Sequence, residues 1–276
     1  MNDMKMKDVK PYLAAVFAGL LLACPLSAGG RTGRPQNAGR GASQIENDPG
    51  LAEAEQLNDQ VLSLLKDRKY DKALPLAQRV LTIRERVLGP DHPLVGSALR
   101  NVADIQFARG RGKEAISAYG RYITIAEKTV GKDSPQLVKV LERYVCMLVL
   151  GGRRPEALEA QKRLYKLDNG FDYDESQGKA GEARLAGGGL MVGRLVSSPA
   201  PAYPAEAKAG HITGSVVMKV AVDETGKVSE VNTLCGHPLL APGAEESVRK
   251  ARYTPTLVAG KPVRVTGIAI YNFVIQ

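Results

Sequence analysis

The 276-residue sequence has no tryptophan, four phenylalanines, three cysteines and three histidines. With so few large aromatics, any core must be aliphatic, and no basic-and-aromatic set exists on which single-stranded nucleic acid could stack. The net charge of +9 is spread along the chain without a run of five basic residues. Such a surface is mildly basic and solvated, and nucleic acid is not an expected partner. His92, His211 and His237 are isolated and no Cys-x-x-Cys occurs, so neither a metal nor another cofactor is expected. Nucleophile-elbow, Walker and His-Glu-x-x-His patterns are also missing, and an enzyme is not expected.

Long hydrophobic runs are scarce as well. Lys5, Lys7 and Lys10 precede an apolar stretch from Tyr12 to Ala23, only 12 residues long, whereas a spanning helix needs ~20. Residues 1–28 therefore read as an export signal. Leu21-Leu22-Ala23-Cys24 resembles a bacterial lipobox with Cys24 as the lipidated residue, while cleavage after Ala28 is the ordinary alternative. Residues 29–50 are Gly-rich and polar without a hydrophobic period, a flexible spacer.

What the chain does have is internal repetition. Residues 73–93 and 115–135 align at a spacing of 42, with Ala73, Arg79, Thr82, Ile83, Glu85, Gly89, Asp91 and Pro93 recurring as Ala115, Arg121, Thr124, Ile125, Glu127, Gly131, Asp133 and Pro135. Ala157, Leu158 and Arg163 continue the series more weakly. A period of this size means stacked supersecondary units that offer a binding surface. Leu57, Val61, Leu64 and Leu65 share a helical face, and Gly89-Pro90 ends a second helix begun at Asp71.

Asn101-Val102-Ala103, Gly110, Glu114-Ala115 and the turn Leu88-Gly89-Pro90-Asp91-His92-Pro93 resemble the tetratricopeptide repeat of the kinesin-light-chain type over residues 51–168. The resemblance implies an all-α solenoid of antiparallel helix pairs whose first helices face a groove. Its register places Asn58, Arg100, Asp104, Lys139 and Glu142 on the groove side, as candidate contacts for a protein partner. Ala73, Ala103, Ala115 and Ala157 are small where paired helices must come close.

Residues 169–189 are acidic and end in three glycines, an interdomain linker, from which Phe171 and Tyr173 are expected to fold back over the last repeat. From Leu190 the period becomes alternating: Val216 to Val222 and Val228 to Leu234 read as strands about an Asp223–Gly226 turn, Ala244 to Ala251 as a helix, and Val263 to Ile275 as a long last strand. Pro201-Ala202-Tyr203-Pro204, Val222-Asp223-Glu224-Thr225-Gly226-Lys227-Val228, Gly236-His237-Pro238-Leu239-Leu240 and Gly260-Lys261-Pro262-Val263 resemble the TonB carboxy-terminal domain over residues 190–276. Ala251 stands where that family usually has Trp. The fold implied is a small α+β module, an antiparallel sheet with two helices. Cys146 and Cys235 fall in different expected domains, and the reading is two separate small apolar side chains without a bridge.

Within the TonB family the module engages an extended peptide of an outer-membrane transporter. Pairing of a peptide with a sheet edge is the physical basis. Here the last strand is the expected edge, with Ile268, Ile270 and Phe273 as contacts. The function expected is an exported adaptor of the bacterial cell envelope, periplasmic and membrane-anchored through lipidated Cys24 or through an uncleaved amino-terminal segment. Its protein partners lie in the periplasm or outer membrane. A TonB-type energy transducer supporting transport is the alternative, weakened by the short apolar run, the lack of a His within it and the lack of a Pro-rich rod. On the lipoprotein route, Cys24→Ser moves the protein from the membrane to the soluble exported fraction on fractionation. Membrane association that survives the substitution rules that route out.

Overall fold

A computed structural model describes residues 48–172 and 193–275; the export signal, nearly all of the spacer, most of the linker and Tyr173 lie outside them. The chain forms two compact units that divide between Gly131 and Lys132. No helix among the described residues is long and apolar enough to cross a membrane.

Among the described residues the first unit holds four helices, α1 (Pro49–Lys66), α2 (Tyr70–Leu88), α3 (Pro93–Ala108) and α4 (Gly112–Val130). Connections of three or four residues force each helix to run antiparallel to the one before it. Ala73, Ala103 and Ala115 are fully buried in this unit, as close helix approach requires. Gly89 and Gly131, 42 residues apart, end α2 and α4 with φ of 87° and 90°, backbone that only glycine adopts without strain. The entry caps recur at the same period: His92 Nδ1 accepts from the Leu94 amide at 3.1 Å, and Ser134 Oγ accepts from the Gln136 amide at 3.3 Å. The repeat is thus carried as much by caps and turns as by core residues.

The second unit opens with a 3-10 turn (Pro135–Leu137), α5 (Val138–Leu150) and α6 (Arg154–Asn169), the third helix pair. It continues with β1 (Leu195–Ser197), α7 (Ala205–Ala209), β2 (Gly214–Val222), β3 (Val228–Cys235), α8 (Ala241–Lys250), β4 (Arg252–Tyr253), β5 (Thr256–Val258), β6 (Lys261–Val263) and β7 (Val265–Phe273). The main sheet has the order β3-β2-β7, entirely antiparallel. The β2–β3 hairpin turns at Gly226, whose φ of 82° and close approach to the Tyr253 carbonyl exclude a side chain. β1 pairs with β4, and β5 with β6.

One face of the main sheet carries Val216, Met218, Val220, Val222, Val265, Ala269, Tyr271 and Phe273, packed with Ala207, Ala244 and Val248 of α7 and α8. The opposite face carries Val217, Ala221, Ile268 and Ile270, and these are buried too. Its cover is the third helix pair, α5 against β2 and β3, and α6 against β7. Phe171, expected to close the last repeat, packs edge-on to Tyr165 with ring centres 5.6 Å apart and lies against the core shared with the sheet.

His92 supplies a pH test of the helix caps. Burial, then the nearby Arg84 guanidinium, hold its imidazole below the ordinary histidine value, and its Nδ1 can accept from Leu94 only while unprotonated. The cap contribution is therefore complete above the unfolded histidine value and is lost as pH falls through the lower folded one. Thermal melts from about pH 7.5 to about pH 5 should show His92→Ser losing less stability than the parent, because a serine cap does not titrate in this range. Equal losses in the two proteins would exclude the titrating cap.

Candidate functional site

In the first unit, three of the expected groove residues lie on α1 and α3 and are half-buried. Asn58 Oδ1 accepts from Asn101 Nδ2 at 3.2 Å. Arg100 hydrogen-bonds the Tyr122 hydroxyl, and Asp104 acts electrostatically on both Tyr122 and Tyr70. Burial first, then Asp104 against the opposing arginines, raise both phenols, so each stays a hydrogen-bond donor at neutral pH. The structure thus gathers Arg100 and Asp104 around Tyr122. Sequence reasoning overlooked the two tyrosines because they belong to second helices, which the repeat register turns away from the groove.

Lys139 and Glu142 belong to the second unit. Lys139 is exposed, but Glu142 is only 4 % exposed. The Glu142 carboxylate accepts from Lys139 at 2.9 Å and from Lys219 of β2 at 3.1 Å. Lys219 also reaches Asp168 at the end of α6 at 2.9 Å, and the Asp168 carboxylate accepts from the Thr266 hydroxyl. Burial alone would lower the Lys219 ammonium, but Asp168 and Glu142 outweigh it and hold the group above the usual lysine value. Glu142 is thus engaged with the sheet and is not open to a partner. A hollow of about 10 Å³ beside the cluster has room for one water.

The two cysteines among the described residues are bonded to each other. Cys146 of α5 and Cys235 at the end of β3 form a disulfide with Cα atoms 6.1 Å apart, which corrects the reading as separate thiols. That reading assumed that a domain boundary separated them; instead α5 packs directly on β3 within one compact unit. The loop closed is 89 residues, and a bridge of that span contributes on the order of 4 kcal/mol in the chain-entropy account.

The expected contacts of the last strand are placed differently. Ile268 and Ile270 are 2 % and 3 % exposed, and Phe273 is equally buried, so none of the three side chains is presented to a partner. They are core because β7 is covered on both faces. β7 is indeed an edge strand, but its outer main chain begins occupied: Asn169 Nδ2 donates to the Thr266 carbonyl at 2.9 Å while the Thr266 amide donates to Asn169 Oδ1 at 2.6 Å. Since the Thr266 main-chain groups point outward, alternation turns the main-chain groups of Ile268 and Ile270 outward as well. The other edge differs. On β3, Ser229, Glu230, Asn232 and Thr233 are exposed, and the same alternation turns the Val231 and Thr233 main-chain groups away from β2. Among the described residues no three His, Cys, Asp or Glu side chains form a metal-binding group.

Residues 53–128 match the tetratricopeptide repeat family. Residues 199–275 match the family described as Gram-negative bacterial TonB protein C-terminal. The chain joins a tetratricopeptide-repeat region to a TonB carboxy-terminal domain. Two solved structures of kinesin light chain nearly identical TPR-like repeats from Podosopora anserina are similar at 17 % identity. They cover 51 % and 49 % of this chain and 64 % and 61 % of their own, with TM-scores of 0.39 and 0.38. A curated relative, RxLR effector protein SFI4 of Phytophthora infestans (strain T30-4), is 32 % identical over 118 residues, which is 43 % of this chain and 34 % of that protein. The chain thus spans about a third of the curated relative's length and under two thirds of the solved chains.

Breaking the Lys219 cluster tests whether the third helix pair is integral to the TonB-type unit. Lys219→Met leaves the Glu142 carboxylate buried beside an apolar chain, and should cost ~2–4 kcal/mol of stability in denaturant unfolding. Adding Glu142→Gln removes that charge and should restore part of the loss. A single variant as stable as the parent would show that the cluster contributes nothing.

Proposed function

We propose that this protein is an exported, non-enzymatic adaptor of the bacterial cell envelope whose repeats and TonB-type module each engage a protein partner. The observation that carries the second contact is the β3 edge, with Ser229, Glu230, Asn232 and Thr233 exposed beside a sheet covered on both faces. An extended peptide adds to such an edge through main-chain hydrogen bonds. The edge moves from β7, expected from sequence, to β3. On the repeats, the Arg100, Asp104 and Tyr122 group supplies polar side chains for a second partner.

Two observations support export to the periplasm: the TonB family is described as Gram-negative bacterial, and Cys146–Cys235 is a disulfide, a bond that persists in oxidising compartments. Attachment through lipidated Cys24 fits the same location. A TonB-type energy transducer supporting outer-membrane transport is the second reading, favoured by the family match over residues 199–275.

A proline at Thr233 tests the edge. It removes an outward amide that β2 does not use, and should leave the melting transition within about 1 kcal/mol of the parent's while abolishing binding of extended peptides from outer-membrane proteins. Asn232→Pro, which removes a ladder donor to β2, is the control for misfolding. Peptide binding retained in a folded Thr233→Pro protein would exclude β3. Loss of transporter-dependent uptake in the same variant, measured in cells, would favour the transducer over the adaptor.

A further inference from the structure

We infer that the hairpin of β5 and β6 is a membrane-docking arm, whose apolar tip enters the surface of an anionic phospholipid bilayer while the cations around it meet the headgroups. The two strands pair only with each other, with Thr256, Leu257 and Val258 opposite Val263, Pro262 and Lys261. The root is anchored: Thr256 is buried and Val263 packs against the module's core. The rest stands in solvent, with Leu257 50 % and Val258 38 % exposed and Ala259, Lys261 and Pro262 exposed beside them. The turn goes against local preference as well. Ala259 has a φ of 50° and Gly260 a φ of 77°, the two positive values of a type I′ turn, where asparagine or aspartate ordinarily precedes the glycine. Alanine carries the left-handed backbone without a side-chain hydrogen bond in return. What it preserves is an uninterrupted apolar tip from Leu257 to Gly260.

Charge selects the occupant. From Arg249 to Gln276 the sequence carries five cations, Arg249, Lys250, Arg252, Lys261 and Arg264, and no carboxylate side chain. All five are exposed. Lys250 and Arg264 are paired to Glu246 and Glu230, while Lys261, opposite Val258 at the tip, has no carboxylate partner among the described residues. An apolar tip with cations behind it matches the layering of a bilayer surface, where apolar side chains reach the acyl boundary and lysine or arginine stays with the lipid phosphates. A protein partner would need ~800 Å² of surface on this side, more than a tip of two exposed large side chains offers. Each cation near an anionic leaflet strengthens attachment by ~5-fold.

The absence of tryptophan from the chain makes the test direct, because Leu257→Trp places the sole tryptophan at the tip. The full chain with this reporter is titrated with vesicles of phosphatidylglycerol mixed with phosphatidylcholine, and with vesicles of phosphatidylcholine alone. Its emission should shift to the blue on the anionic vesicles only, with an affinity that falls as salt is raised. In the same background Lys261→Ala should weaken binding ~5-fold, and Val258→Asp should abolish the shift; both positions are exposed, so the fold is spared. Leu94→Trp in α3 is the control for attachment through the amino-terminal apolar stretch and should not shift. A tip reporter that stays unshifted on anionic vesicles overturns the docking arm and leaves an acidic protein as the occupant to seek. Equal shifts on the two kinds of vesicle overturn the role of the headgroups, and equal shifts of the two reporters overturn the hairpin as the site.

Discussion

Burial of both faces of β2 is the constraint on which the second unit depends. A three-stranded sheet can rest one face on α7 and α8, but Val217, Ala221, Ile268 and Ile270 make the other face apolar too. Leaving these side chains in water would forgo ~1.5 kcal/mol or more for each of the larger ones. The third helix pair supplies the missing layer, and every specific contact at that seam follows from it. Lys219, forced under α5 and α6 by the strand's alternation, must meet carboxylates or remain an unpaired buried charge, and Glu142 and Asp168 meet it. Cys235 on the same face meets Cys146.

The seam explains two oddities of composition. The TonB-type module has alanine at position 251, where the domains it resembles usually have tryptophan, and Ala251 is completely buried. The core that contains it includes Tyr165 from α6, with Phe171 packed against it, so aromatic bulk enters this core from outside the module. The third repeat, in turn, is the weakest match to the period. Its positions answer to the sheet: Glu142, Cys146, Tyr165, Asp168 and Asn169 all contact the sheet or its core.

Most of the architecture was legible because it is written locally. The 42-residue identities fix helix pairs, caps and glycine stops within a few residues of each other, and the Asp223–Gly226 turn fixes the β2–β3 register. What was not legible is long-range. Cys146 and Cys235 stand 89 residues apart, and no periodicity states that two neighbouring modules share a core. A signal was present nonetheless: Val216-Val217-Met218 and Ile268-Ala269-Ile270-Tyr271 are continuous apolar runs, and a strand apolar on both sides asks for a layer on both sides. Reading these runs as one-sided alternation left Ile268 and Ile270 looking available when they are core.

The same layer accounts for the difference between the two edges. A helix pair laid across a twisted sheet must end somewhere, and α6 ends at Asn169 beside Thr266, so its last side chain falls on the β7 ladder. α5 is bonded to β3 at Cys235, the strand's last residue, and α8 packs against the strand with a Thr233–Glu245 hydrogen bond. The middle of β3 is left with outward main-chain groups at Val231 and Thr233 and polar neighbours at Ser229, Glu230 and Asn232. Polar and charged side chains on an edge discourage aggregation while leaving its backbone free to pair with a chosen strand. Covering an apolar edge and leaving a polar one open leaves the module one edge whose backbone is placed to pair with a strand, set by where the helix pair stops.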